Sequence, residues 1–154
     1  MDIIPYQPDD LKEIYQLFYN TVHKVNIKDY TPEQLAVWAP EIPDWNKWQS
    51  RLTRAITFIG RINGDIAGFG SLVDNTYLDF LYASFEFQGR NVATNIYSKL
   101  EGISRSNGAK LITTDASITA RPFFEKMGFK VLHKQSVRKK NIVLVNYKMI
   151  KKIN

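Results

Sequence analysis

The chain has no cysteine, two histidines, and only eight glycines and six prolines in 154 residues. Without cysteine there is no disulfide, no thiolate zinc site and no thiol nucleophile, and two histidines are too few for a multi-histidine metal centre. No apolar run approaches the roughly 18 residues of a membrane span. The opening "MDIIPYQPDD" is short, acidic and interrupted by proline, unlike a signal peptide. A metal-free cytoplasmic protein with no membrane partner is the expectation. No internal repeat and no low-complexity linker divides the sequence, so residues 1–154 read as one domain. A domain of that length buries about 70% of its unfolded surface and needs no covalent staple.

What is present in excess is positive charge. Twenty-one basic residues against fifteen acidic give a net charge of +6 and a pI near 9.5. Such a balance suits nucleic acid, an anionic surface or a polyanionic small ligand, and sign alone does not choose among them. Much of the excess lies in "RKK" (Arg138 to Lys140) and "KMIKK" (Lys148 to Lys152), which read as a solvated loop and tail.

Periodicity divides the chain into elements. "DIIPY" reads as a short strand, after which Asp9 or Asp10 caps a helix with Leu11, Ile14, Leu17, Phe18 and Val22 at helical spacing. In "YTPEQLAVW", Thr31 is an N-cap, Pro32 takes the first helical position and Gln34 completes a capping box. Asp44 caps a third helix through Trp45, Trp48 and Leu52. "AITFIGRI", Asn63-Gly64 and "DIAGFGSLV" form a hairpin, since Asn-Gly suits a two-residue type I′ turn. Asp74-Asn75 is a second turn before the strand "TYLDFLYASF". A helix from about Arg90 to Asn107 ends at Gly108, "KLITTDAS" is a buried strand, "ITARPFFEKM" a short helix stopped by Gly128, and "FKVLHKQSV" and "IVLVNYKMI" are two last strands. The fold class is a mixed α/β single domain.

The stretch "FQGRNVATN" places glycine, arginine and small polar residues where a helix begins. The first amides of a helix lack internal partners and, with the aligned peptide dipoles, suit a phosphate. Gly89 lets the backbone turn, Arg90 adds charge, and Val92, Ala93 and Thr94 leave the first turn uncluttered. No Gly-Lys-Ser/Thr follows, and the spaced glycines of a dinucleotide site are absent. An ordinary strand-to-helix turn fits this stretch equally well.

The order of elements, "YLDFLYASFEF" followed by "QGRNVA", and the later "ASITARPFFEKMGF" together resemble the GNAT superfamily of acyl-CoA-dependent N-acetyltransferases across nearly the whole chain. The family signature Gln/Arg-x-x-Gly-x-Gly/Ala is matched by Gln88, Gly89, Arg90, Asn91, Val92 and Ala93, with Asn91 where glycine is usual. "TVHKVNIKDYTPEQLAVWAP" is similar to an uncharacterised bacterial subgroup. The resemblance implies a central, mostly antiparallel sheet with splayed middle strands and helices on both faces. It implies acetyl-CoA as co-substrate, with its pyrophosphate on the amides of Gly89 to Thr94 and its pantetheine arm along Leu81, Tyr82 and Ala83. Ser117 to Phe124, including Ala120, would line the coenzyme's other side, with Arg121 either a phosphate contact or solvated.

Acetyl transfer to an amine needs a deprotonated amine, an oxyanion donor and a proton for the thiolate. With no cysteine, direct transfer in a ternary complex is the natural route. Asp79, mid-strand among apolar neighbours, is the favoured base, because desolvation raises a carboxyl's pKa. Glu86 and Asp115 are reserves, and His23 reads as a packed or surface histidine. The resemblance suggests the Ala83 amide as the oxyanion donor. The tyrosine that many relatives carry in the short helix is Phe124 here, leaving Ser117, Tyr82, Tyr147 or water as proton donor. Trp38, Trp45, Trp48 and Tyr30 fall in the region that flanks the acceptor groove in relatives, and aromatic faces hold ammonium groups as well as they fill cores. The acceptor is left open among small amines, amino acids, antibiotics and peptide N-termini, and the protein as monomer or homodimer. The competing reading, a basic nucleic-acid-binding module without catalysis, is disfavoured by the strand-glycine-helix unit.

Overall fold

A computed structural model describes all residues, Met1–Asn154. The first strand, β1 (Asp2–Pro5), leads through a 3-10 turn into α1 (Leu11–Lys24), then α2 (Pro32–Trp38) and α3 (Trp45–Arg54). The caps of α2 and α3 form as the sequence predicts. The Gln34 amide donates to Thr31 Oγ1 at 3.2 Å while Gln34 Oε1 accepts from the Thr31 amide at 2.8 Å, and Asp44 Oδ1 accepts from Lys47 N at 3.1 Å. The cap of α1 differs. Asp10 instead closes the preceding turn by accepting from Gln7 N at 2.9 Å, and its other oxygen pairs with Arg61 at 3.0 Å.

Next come β2 (Ile56–Ile62), β3 (Asp65–Val73), β4 (Tyr77–Ala83), α4 (Val92–Ser106), β5 (Leu111–Ser117), α5 (Arg121–Lys126), β6 (Lys130–Lys139) and β7 (Ile142–Lys152). Both residues of the Asn63-Gly64 turn have positive φ, 52° and 87°, as a type I′ turn demands. The seven strands form one sheet in the order β1-β2-β3-β4-β5-β7-β6, antiparallel throughout except for the parallel pair β4 and β5. Its two faces carry separate cores. Ile14, Phe18, Leu35 and Leu52 of α1 to α3 pack on Phe69 and Phe80, while Val92, Ile96, Leu100 of α4 and Phe124 of α5 cover Ala67, Leu78 and Ile112.

The spacing between α4 and the sheet is set by missing side chains. A Cβ at Gly68 would stand 2.6 Å from Val92 Cγ1 and 2.8 Å from the Tyr82 carbonyl oxygen, so the start of α4 lies directly on β3 and β4.

The middle of the sheet opens. Parallel pairing of β4 with β5 is confined to Tyr77 with Thr113 and Leu78 with Thr114. At the same point β4 carries a bulge. Ser71 faces Phe80 and Leu72 faces Leu78, leaving Asp79 without a partner. The bulge sends Leu78 into the α4 core and Phe80 into the α1 to α3 core, against the strict alternation of a regular strand. Beyond it the strands splay, as the resemblance implies. Thr114 Oγ1 donates to the Leu78 carbonyl at 2.9 Å where they part.

Four further expectations need correction. β4 ends at Ala83 and Phe85–Phe87 form a 3-10 turn, in which Ser84 Oγ accepts from Glu86 N at 3.2 Å. The last main helix begins at Val92 rather than Arg90, because Asn91 adopts the left-handed region, φ 56° and ψ 31°, which does not continue a right-handed helix. Arg138 and Lys139 belong to β6, and only Lys140 and Asn141 make the turn, with φ 48° and 64°. The "KMIKK" segment likewise lies in β7, where Lys148 is 3.7 Å from Asp115 and Lys151 is 2.6 Å from Glu101.

Candidate active site

A cleft of about 900 Å³ occupies the gap between the splayed strands. One half is built from main chain. β3 pairs with one edge of β4, and from Asp79 to Ala83 the other edge has no strand beside it. Leu81, Tyr82 and Ala83 line the cleft there. The approach to α4 supplies Gln88, Gly89, Asn91, Val92, Ala93 and Thr94, so free amides of a helix start face the same space. Gly89 has φ 76° with nothing within 4 Å of a built Cβ, so its glycine answers a backbone conformation and not crowding. Asn91 takes a left-handed conformation, the region that glycine and asparagine reach at least cost, which accounts for asparagine at a glycine position.

Across the gap, Ser117, Ala120 and Phe124 line the cleft. Ser117 Oγ accepts from Ala120 N at 3.0 Å and from Asn26 Nδ2 at 3.4 Å, which leaves its own proton free to donate. Phe124 is 5% exposed and packs edge-on to Phe129 at 5.2 Å, so no phenol enters from α5. Two predicted phosphate contacts lie outside the cleft. Arg90 is solvent-exposed, and Arg121 lies over the Tyr147 ring at 4.6 Å and 3.5 Å from Glu125.

The other half is built from side chains. Phe18, Trp38, Trp48, Phe80 and Tyr82 form an aromatic wall. Trp48 stacks on Phe80 at 4.9 Å, and the Arg51 guanidinium sits 4.3 Å over the same Phe80 ring. Asp79 projects beside it, but not as the lone carboxylate among apolar neighbours that the sequence suggests. Arg51 grips both its oxygens, Nη2 to Oδ1 at 2.8 Å and Nε to Oδ2 at 3.2 Å. Burial pushes the Tyr82 phenol up from its ordinary value, disfavouring its anion.

The remaining candidates have other partners. Tyr30 donates to the Val145 carbonyl at 2.6 Å and accepts from Ile118 N at 2.9 Å, tying β7 to the end of β5. Trp45 is 37% exposed against Tyr15 and does not line the cleft. His23 bonds the Ala39 carbonyl at 2.8 Å and packs on Tyr19, a packed histidine as read from the sequence. Asp115 reaches the cleft but holds Tyr77 Oη at 2.8 Å and Gln135 Nε2 at 2.7 Å, while Glu86 is exposed on the 3-10 turn and outside the cleft. No three potential ligand side chains meet to hold a metal.

The sequence reading missed Arg51, Asn26 and the cleft-lining pair Arg138 and Lys139. Arg51 stands one helical turn after Trp48 and carries no local mark of its role. Burial, and then repulsion from Lys47, Arg51 and Lys140, holds the Lys139 ammonium below its ordinary pKa.

The parallel strand pair opens beside an amide-rich helix start, the arrangement that the family resemblance implies. The family described as "Acetyltransferase (GNAT) domain" matches residues 26–151. The uncharacterised N-acetyltransferase YafP of Escherichia coli (strain K12) is 31% identical over 144 residues, covering 94% of this chain and 91% of that protein. Among solved structures, a GCN5-related N-acetyltransferase from Rhodopseudomonas palustris superposes with a TM-score of 0.94 at 31% identity, covering 98% of this chain and 94% of that one. The PaiA N-acetyltransferase of Thermoplasma acidophilum, in complex with coenzyme A, shares the fold at TM-score 0.77 and 17% identity over 99% of both chains. The chain therefore belongs to the GNAT acetyltransferase family. Its class of chemistry is acyl transfer from acetyl-CoA to an amine.

Proposed function

We propose that the protein is a cytoplasmic N-acetyltransferase, monomer or homodimer, that passes the acetyl group directly from acetyl-CoA to an amine held in the same cleft. The observation that carries this reading is the parting of β4 from β5 after the Leu78–Thr114 pair, beside the free amides that open α4. The unpaired edge of β4 at Leu81 to Ala83 suits the amide groups of pantetheine, and the amides of Gly89 to Thr94 suit the pyrophosphate. The PaiA N-acetyltransferase of Thermoplasma acidophilum, of the same fold, is in complex with coenzyme A, which supports coenzyme A as the ligand.

In this reading the amine nitrogen attacks the thioester carbon, the carbon–sulfur bond breaks, and the Ala83 amide stabilises the oxyanion. Asp79 takes the proton lost by the amine. For that it must share its oxygens with the incoming ammonium, since Arg51 occupies both beforehand. The Ser117 hydroxyl, whose oxygen already accepts from Ala120, is placed to donate a hydrogen bond to the departing thiolate. Neither membrane nor nucleic acid takes part.

Thermal melting with ligands tests the coenzyme half. CoA at one hundred times its dissociation constant stabilises by roughly 2.7 kcal/mol, and neither NAD nor ATP matches it at equal concentration. A melting curve indifferent to CoA, or moved as far by NAD, overturns the assignment.

A further inference from the structure

We propose that the acceptor carries, beside its amine, an anionic group of the carboxylate or phosphate kind on an apolar body, and that Lys139, with the outer side of Arg51, recognises the anion. This rests on the reading of the cleft given above. The charges of its side-chain half do not balance. Asp79 and Arg51 neutralise each other in a bidentate pair, and Asp115, the other carboxylate of the cleft, has Lys148 at 3.7 Å, whereas Lys139 lines the same cavity and has no carboxylate partner within ion-pair distance.

Lys139 lies at the acceptor end. It stands where β6 meets β7, opposite Ile142 and on the same face as Val137, which is opposite Leu144, while its strand neighbour Arg138 points to the other face. That end of the hairpin is tied to α2 by Gln34 Nε2 donating to the Val143 carbonyl at 2.9 Å, and Leu144 packs on the α1 to α3 core. The cations that Lys139 feels most, Lys47 and Arg51, both belong to α3. The start of α4, where the pyrophosphate is placed, lies on the opposite face of the sheet.

A purely cationic amine would add a positive charge to this crowding. An amine that also bears an anion relieves it: the ammonium approaches Asp79, the anion approaches Lys139 and the outer side of Arg51, and the apolar body lies along Trp48, Phe80 and Tyr82. Guanidinium forks match both carboxylate and phosphate oxygens, so either source fits.

The test is a panel of amines in matched sets, with thiol release from acetyl-CoA as readout. Phenylalanine is compared with phenethylamine and phenylalaninamide, aliphatic amino acids with their amines and amides, and aminoalkylphosphonates separate phosphate-like from carboxylate recognition. The acids or phosphonates exceed their neutralised counterparts at least tenfold in kcat/KM. Lys139→Gln raises KM for the preferred acid several-fold, the scale of an exposed ion pair, Lys139→Arg keeps it within twofold, and the Kd for CoA stays within twofold in both variants. Equal use of the uncharged counterparts, or no turnover of any anionic amine by protein that binds CoA, overturns the proposal. So does a large loss of CoA affinity in Lys139→Gln, which would assign this cation to the coenzyme. Failure of the parent protein to bind CoA would remove the cleft reading itself and this inference with it.

Discussion

The two halves of the cleft are built from different material. The half proposed for the coenzyme is mostly main chain: an unpaired strand edge, the amides of a helix start, and two residues, Gly89 and Asn91, with positive φ. That main chain lies within one stretch from Leu81 to Thr94, faced across the gap by Ser117, Ala120 and Phe124. The acceptor half is made of side chains brought from α1, α2, α3, β4 and the β6–β7 hairpin, with Arg51 and Asp79 28 residues apart. Main chain offers the same donors whatever the side chains, so the first half suits a constant ligand. Side chains set size, charge and apolar surface, so the second half suits the choice of one amine over another.

The strongest way to break this division is Asp79→Asn. Turnover falls about 100-fold or more, the scale of a lost general base, while CoA affinity, measured by calorimetry, stays near the parent's. A parallel fall in both would show that the two halves are not separable. A variant with parental turnover at pH 7 would leave Asp79 only the task of holding Arg51.

Gly68→Ala attacks the joint between the halves. The added methyl would meet Val92 Cγ1 at 2.6 Å and the Tyr82 carbonyl at 2.8 Å, and a carbonyl in a paired strand cannot step aside as a flexible side chain does. The cost is about 1 to 3 kcal/mol, typical of overpacking, read as a lower midpoint in denaturant. Unchanged stability would mean that α4 can lift from the sheet.

At the helix start, Asn91→Asp sets a negative charge beside the ligand and weakens CoA binding by roughly 1 to 2 kcal/mol at low salt, less at high salt. Asn91→Gly keeps the left-handed backbone accessible and changes affinity by less than about 1.4 kcal/mol. If the aspartate variant binds as tightly as the parent at low salt, the pyrophosphate lies elsewhere.

The smallest effect belongs to Arg121→Ala. Its guanidinium is engaged by Tyr147 and Glu125 outside the cleft, so CoA affinity changes by less than about 0.5 kcal/mol, as for other surface substitutions. A tenfold loss would bring Arg121 back to the phosphates and extend the coenzyme half into side chains.

Much of the fold was legible because it depends on neighbours in sequence. Asn-Gly selects a two-residue turn, Thr31-Pro32 with Gln34 starts a helix, and Gly108 and Gly128, at φ 84° and 97°, stop two more through their own backbone freedom. The helix start at "QGRNVAT" belongs to the same kind, since its amides are free wherever that helix is placed. What only the tertiary structure decided are the features that need two distant segments. The bulge at Asp79 exists because β3 sets the register of β4, and no period in "YLDFLY" announces it. The grip of Arg51 on Asp79 follows from packing α3 over Phe80. Arg138 and Lys139 of "RKK", read from composition as a wet loop, became part of a cleft wall because β6 pairs with β7 to its end and the hairpin is tied to α2. Local backbone preference acts over a few residues and is written in order along the chain; charge balance in a cavity is a sum over whatever the fold brings together.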